Sequence, residues 1–265
     1  MFFFLPLYDD NPTRRVPVVT YLLIGVCVVV FFWQLGQNAR DVAYSYGMIP
    51  AVLFGAAEPP HGLAAVPPWA TIFTSMFLHA GWLHLGGNML FLWIFGNNIE
   101  DVLGPVRYLL LYLLSGVAAA MGQALADPSS TVPMLGASGA IAGVLGAYLL
   151  LYPNANVHVL VLIIIILRII TVPAWIMLGL WFAAQLVSGL LSGGGAGVAF
   201  WAHVGGFVTG IILLVLMRPG GLALLQPPRT ARFIAAPPRR FVGRHTFHGS
   251  VPDSGTSRFR RGPWD

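Results

Sequence analysis

Several apolar stretches of 17 to 21 residues recur along this chain, and their length does most to limit what it can become. A helix rises about 1.5 Å per residue, so about 20 residues cross the ~30 Å hydrocarbon core of a bilayer. Inside lipid the backbone must pair with itself, which leaves helices and closed barrels as the spanning structures. Composition agrees with a membrane origin: 57% of the 265 residues are hydrophobic and 9% are charged. A water-soluble domain would carry about 25% charged residues. The sequence therefore predicts an all-α membrane protein.

Six spans are expected, at about 17–35, 82–98, 106–126, 138–152, 171–190 and 200–217. The first connection, 36–81, is long and holds Pro50, Pro59, Pro60, Pro67 and Pro68, yet also Phe54, Trp69 and Phe73. It is expected to lie partly in the membrane interface. The apolar, β-branched stretch 157–170 is the ambiguous one: an interfacial segment or an early start of the fifth helix. A seventh span there is rejected on charge. All 14 basic residues are Arg, and nine of them fall between Arg218 and Arg261. With Arg14 and Arg15 inside, six spans keep those nine inside as well, whereas seven would put them outside.

Three regions follow: a cytoplasmic N-terminal segment, 1–16; a membrane domain, 17–217; and an Arg- and Pro-rich cytoplasmic tail, 218–265, expected to be disordered. The tail reads as an orientation signal and a contact for anionic lipid. No nucleic-acid partner is expected, because no recognition module accompanies the charge. Cys27 is the one cysteine and cannot form an intrachain disulfide. Residues 1–7 are apolar but too short for a cleavable signal.

Even spans run from outside to inside, so their first residues meet near the outer face. Those ends carry His79, His84 and Asn88 on the second, Ser138 on the fourth and His203 on the sixth. Polar side chains within spans are costly and mark function by default. Ser138, in Gly136-Ala-Ser-Gly139, opens a helix, where free N–H groups and the dipole suit an anion. The alternative is plain packing, since Gly139, Gly143 and Gly146 form one small-residue face. Gly206 and Gly210 give the sixth helix a similar face. If the two faces meet, His203 comes beside Ser138 as the base that a hydroxyl nucleophile needs. No carboxylate lies at this depth, so a dyad is expected. His84 and Asn88, at i and i+4, share a face and could donate to an oxyanion. His79, five residues before His84, is an interfacial His by its position as readily as a supporting one.

Ser138 to Tyr152 is 15 residues, about 22 Å of helix, which places Ser138 roughly 8 Å below the outer boundary of a ~30 Å core. Hydrolysis at that depth requires a water-filled cavity, with the loop 128–137 dipping in where protein or water satisfies its backbone.

The motifs His79-Ala-Gly-Trp-Leu-His84-Leu-Gly-Gly-Asn88, Glu100-x-x-x-Gly104, Gly136-Ala-Ser138-Gly139 and Ala202-His203-Val-Gly-Gly206-x-x-x-Gly210 resemble those of the rhomboid intramembrane proteases. The resemblance runs from about residue 15 to 217, with the motifs in order and on the expected helices. It implies the six-transmembrane-helix rhomboid-like bundle of the bacterial type, in a plasma membrane with both termini cytoplasmic. It further implies Ser138 as nucleophile, His203 as base, and an oxyanion hole from His84, Asn88 and the Ser138 N–H. Substrates would be transmembrane proteins, cut in or near their spans, and helix five with the loop after it would form a lateral gate. No cofactor is implied. The chain departs from the family at Ala142, where an aromatic residue usually packs on the catalytic His. It also has Trp69 without the usual Arg beside it.

Two other classes are open to such a chain. A catalytically inactive relative that escorts transmembrane segments would typically have lost the Ser or the His; both are here. A transporter would spread polar groups along a path instead of gathering them at one end. A metal site is not expected, since no His-Glu-x-x-His pattern accompanies the histidines.

Overall fold

The computed structural model of the chain describes residues 3–163, 166–191 and 199–227. Strand β1 (Phe3–Asp9) leads to helix α1 (Val18–Leu35), and the first connection holds the short helices α2 (Ala39–Tyr46), α3 (Pro50–Leu53) and α4 (Thr71–Thr74). Next come α5 (Trp82–Phe91), a π-helical turn (Leu92–Gly96) and α6 (Asn97–Leu103), then α7 (Pro105–Ala126) and α8 (Ser138–Leu151). A hairpin of β2 (Asn156–Ile163) and β3 (Ile166–Pro173) precedes α9 (Ala174–Leu191) and α10 (Phe200–Met217). Among the described residues four helices, α1, α7, α9 and α10, are long and apolar enough to cross a membrane, and α8 is a shorter apolar helix.

The helices form where the sequence predicts, and their ends have local causes. Pro105 sits at the start of α7, where a missing N–H costs nothing. Gly104 before it has φ +76°, a left-handed conformation that breaks α6 from α7 and suits glycine. The second expected span is longer than predicted, reaching Leu103 through the π-helical turn. Its far end returns to the start of α1: Glu100 accepts hydrogen bonds from the Val19 and Thr20 N–H groups and the Thr20 hydroxyl, each at 2.8 Å. Pro17 offers α1 no side-chain cap, so Glu100 supplies the anion that a helix N-terminus favours.

The all-α expectation needs one amendment. Where the sequence predicts an interfacial segment or an early helix five at 157–170, the structure has the antiparallel strands β2 and β3, and residues 3–9 add a third antiparallel strand in the order β1-β2-β3. The cause lies in the residues. Val157, Val159, Val161, Ile169, Ile170, Thr171 and Val172 are β-branched, which crowds a helix and fits a pleated surface. Val157 and Val159 are fully buried and belong to the main core, so the sheet closes one end of the bundle. Helix α9 starts only at Ala174, after Pro173 ends the strand. The loop after helix five, 192–198, falls outside the described residues, as does the expected disordered tail from 228 onward.

Helix α8 is central. Eleven of its 14 residues are buried, as expected of a helix apolar on all sides. It packs against α10 with almost no side chains between: a Cβ on Gly206 would collide with the Gly139 carbonyl, and one on Gly210 with the Gly143 carbonyl. The small-residue faces read in the sequence therefore do meet. The first connection exposes Phe54, Trp69 and Phe73, in keeping with an interfacial position. It also holds the loop before α8, through a paired bridge between Met48 and Met134 and a bond from the Gly136 N–H to the Ser75 carbonyl.

Candidate active site

Close contact of α8 and α10 decides where their first turns meet. Ser138 is the first residue of α8, and His203 lies in the first turn of α10. His203 Nε2 is 2.8 Å from Ser138 Oγ. The other ring nitrogen, Nδ1, is 2.7 Å from Oε1 of Gln185 on α9. With Ala142 too small to reach, the imidazole faces Trp181 on α9, with ring centroids 5.6 Å apart and planes tilted by 43°. What holds the His203 ring thus comes from α9, two residues the sequence reading did not select. A signal was present: Gln185 is the strongest polar group in an apolar helix, which is grounds for suspicion in itself.

Helix α5 brings His84 and Asn88 to the same place. Both line, with Ser138 and His203, a cavity of about 420 Å³. The Ala80 N–H donates to His84 Nδ1 at 3.3 Å, which leaves the proton on Nε2 and makes that nitrogen a donor. Asn88 is buried, and its Nδ2 has no hydrogen-bond partner among the described residues. A buried amide donor without a partner costs free energy, so such groups call for an acceptor. The two nitrogens converge on Gly136. A Cβ there would lie 2.7 Å from His84 Nε2 and 3.7 Å from Asn88 Nδ2. Gly136 also has φ +126°, which side chains rarely adopt. Both features call for glycine beside Ser138.

His79 is close by but not in the cavity lining. Its ring packs edge-on against His84, with centroids 5.2 Å apart. Its backbone is held on both sides by the Gln34 side chain, which accepts from the His79 N–H at 3.0 Å and donates to the carbonyl at 3.2 Å. Gly139, Gly206 and Gly210 lie at the α8–α10 contact described above. Among the described residues no three His, Cys, Asp or Glu side chains are grouped to hold a metal ion.

Chemically, the cavity offers a hydroxyl touching an imidazole, with free donors next to it. A family model described as the Rhomboid domain matches residues 67–220, more than half of the chain and with it Ser138, His203, His84 and Asn88. The chain belongs to the rhomboid family. It is 31% identical to the mitochondrial Rhomboid protein 1 of Saccharomyces cerevisiae over 204 residues, covering 73% of this chain and 51% of that protein. It is 35% identical over 134 residues to Rhomboid protease GluP of Bacillus subtilis, covering 50% of this chain and 24% of that one. To the putative rhomboid protease YdcA of the same bacterium it is 33% identical over 140 residues, covering 51% of this chain and 63% of YdcA. The chain thus spans 24–63% of the lengths of these rhomboid relatives.

Proposed function

We propose that this rhomboid is an intramembrane serine endopeptidase that hydrolyses peptide bonds in or near the spans of transmembrane proteins. The observation that carries the reading is the 2.8 Å contact between His203 Nε2 and Ser138 Oγ. A serine hydroxyl is a weak nucleophile until a base takes its proton, and this is the distance at which an imidazole does so. As Oγ attacks the scissile carbonyl carbon, His203 takes the hydroxyl proton. The carbonyl oxygen becomes an oxyanion, held by Nε2–H of His84, Nδ2–H of Asn88 and the N–H of Ser138. His203 then returns its proton to the leaving amine, which leaves an acyl-enzyme. Water, deprotonated by the same imidazole, attacks the ester, and the acid product departs as Ser138 regains its proton.

The donors matter because they are already in place. One oxyanion-hole donor is worth roughly 3–4 kcal/mol in the transition state, or about 10²–10³ in rate. The helix dipole at Ser138 adds about 1 kcal/mol. Preorganised side-chain donors are therefore the larger effect.

Six spans are proposed: α1, the broken leg from α5 to α6, α7, α8, α9 and α10. The positive-inside bias puts the ends of the chain on the cytoplasmic side and Ser138 near the outer face, in a bacterial plasma membrane. The sheet would then lie on the cytoplasmic side, with 1–16, 17–217 and 218–265 as N-terminal segment, membrane domain and tail.

The test is a fluorophosphonate probe applied to the detergent-purified protein, beside cleavage of a single-span substrate in proteoliposomes. Labelling and cleavage are expected in the wild type and lost in Ser138→Ala and His203→Ala. A folded wild-type protein that neither labels nor cleaves would instead be an escort for transmembrane segments.

A further inference from the structure

We infer that Gln185 is a positioning residue for the catalytic imidazole, taking the place that a carboxylate holds in a Ser-His-Asp triad. The inference rests on the Ser138–His203 reading above and goes one residue beyond it. A neutral imidazole carries a single N–H. For Nε2 to accept the Ser138 proton, that N–H must be on Nδ1, and a buried Nδ1–H needs an acceptor. The group facing Nδ1 is the Gln185 amide, with Oε1 at 2.7 Å. A carbonyl oxygen accepts only, so this contact selects the one tautomer in which Nε2 can act as base.

Among the described residues no carboxylate bonds to His203, and the side chain one turn after Ser138 is the methyl group of Ala142. Orientation of the ring therefore comes from helix α9. Trp181 and Gln185 are four residues apart and share a face of that helix, and that face meets the imidazole with two groups: the indole, tilted by 43° to the ring, and the amide, at Nδ1. The helix is kept there by Phe182 stacked on Phe207 of α10, with centroids 4.4 Å apart.

An amide is also the acceptor suited to this depth. When His203 takes the serine proton, the imidazolium has two N–H groups, and the amide dipole still accepts from Nδ1. A carboxylate would stabilise that cation more strongly, but it would hold a full charge in an apolar helix throughout the cycle, which is costly. A neutral amide keeps most of the orientation without that charge.

The experiment uses full-length protein in detergent and in proteoliposomes, comparing the wild type with Gln185→Leu, which removes the acceptor at similar volume, and Gln185→Glu, which keeps it. Wild type and Ser138→Ala are labelled first with the fluorophosphonate. Labelling lost in Ser138→Ala establishes the nucleophile, and the Gln185 variants are then judged alone. Gln185→Leu is expected to lower kcat and the labelling rate by roughly 100-fold, a typical general-base contribution, with KM within about twofold. Gln185→Glu is expected to recover most of that loss. Imidazole ¹⁵N shifts, assigned to His203 by the His203→Ala spectrum, read the tautomer directly. The wild type should show Nδ1–H, and Gln185→Leu a mixture. Equal rates in Gln185→Leu and wild type, a Glu variant as slow as the Leu variant, or an Nε2–H tautomer in the wild type would each overturn the proposal. If the wild type does not label at all, the dyad fails, and the ¹⁵N spectrum still decides whether Gln185 sets the tautomer.

Discussion

Gly136 shows how little room there is around the proposed oxyanion. Its φ of +126° and the 2.7 Å from a would-be Cβ to His84 Nε2 are separate obstacles to any side chain. Gly136→Ala is expected to displace the His84 donor while leaving Ser138 and His203 on their own helices. Its cleavage rate should fall by about 10²–10³, the value of one oxyanion donor, in a protein that still folds. Asn88→Ala should cost about the same in kcat with KM little changed, because the amide meets its acceptor only as charge develops. Substrate titration of both variants in proteoliposomes checks this, and an Asn88→Ala effect confined to KM would place the amide in substrate binding instead. At this scale the sequence was informative where residues clustered in motifs. Ser138, His84, Asn88 and His203 stood out as polar groups at one depth. Gln185 carries the same polar signal, but its meaning depends on which face of α9 turns toward α10, and neither apolar helix marks that face strongly.

At the scale of elements, the helices were legible and the sheet was not. A helix announces itself by a local run of apolar residues of spanning length, whereas β1 pairs with residues some 150 positions away, and no local pattern records such a partner. The stretch 157–170 has strand-forming residues, but its apolar run alone does not separate a strand from a helix. The pairing has a titratable consequence. Asp9, at the end of β1, accepts from the Tyr148 hydroxyl and from Asn98 Nδ2. Burial pushes its carboxyl from 3.8 up to about 7; the Tyr148 bond opposes this and neighbouring Asp10 adds to it. The docked strand therefore keeps a proton that the detached strand releases. Docking is strongest below about pH 4, weakens as pH rises from about 4 to about 7, and is level above. Hydrogen exchange of residues 3–9, corrected for intrinsic rate, should show less protection at about pH 8 than at about pH 5. Asp9→Asn should remove most of that difference, and an unchanged profile in the variant would assign the effect elsewhere. At the other junction, Glu100→Ala strips three donors at the start of α1 of their acceptor. Loss of charge-assisted bonds to buried groups should cost about 3 kcal/mol or more, read as a lower thermal midpoint in detergent.

For the whole molecule, the arrangement makes the proposed catalysis depend on a contact far from the chemistry. Ser138 and His203 belong to different helices, and the distance between them is set by how closely α8 and α10 approach along their length. That approach is backbone on backbone at Gly139–Gly206 and Gly143–Gly210, so it depends on residues with no side chain. In a bilayer no hydrophobic force drives such helices together, and close packing of small residues must do so. A side chain in this seam forces the pair apart with nowhere to relax, since α8 is buried on all sides. Gly210→Leu lies two turns along α10 from His203, and the new side chain would meet the Gly143 backbone instead of any proposed oxyanion donor. It is expected to cost about 1–3 kcal/mol in stability, as overpacking does. A shift of 1 Å at reacting atoms can cost about 100-fold in rate. Fluorophosphonate labelling should therefore drop by a factor of that order even at temperatures where the variant remains folded. Gly179→Leu on α9, where nothing lies within 4 Å of a would-be Cβ, is the control and should label as the wild type does. If Gly210→Leu labels at the wild-type rate in a folded protein, the seam does not set the separation of Ser138 and His203, and a local support such as the loop before Ser138 must set it instead.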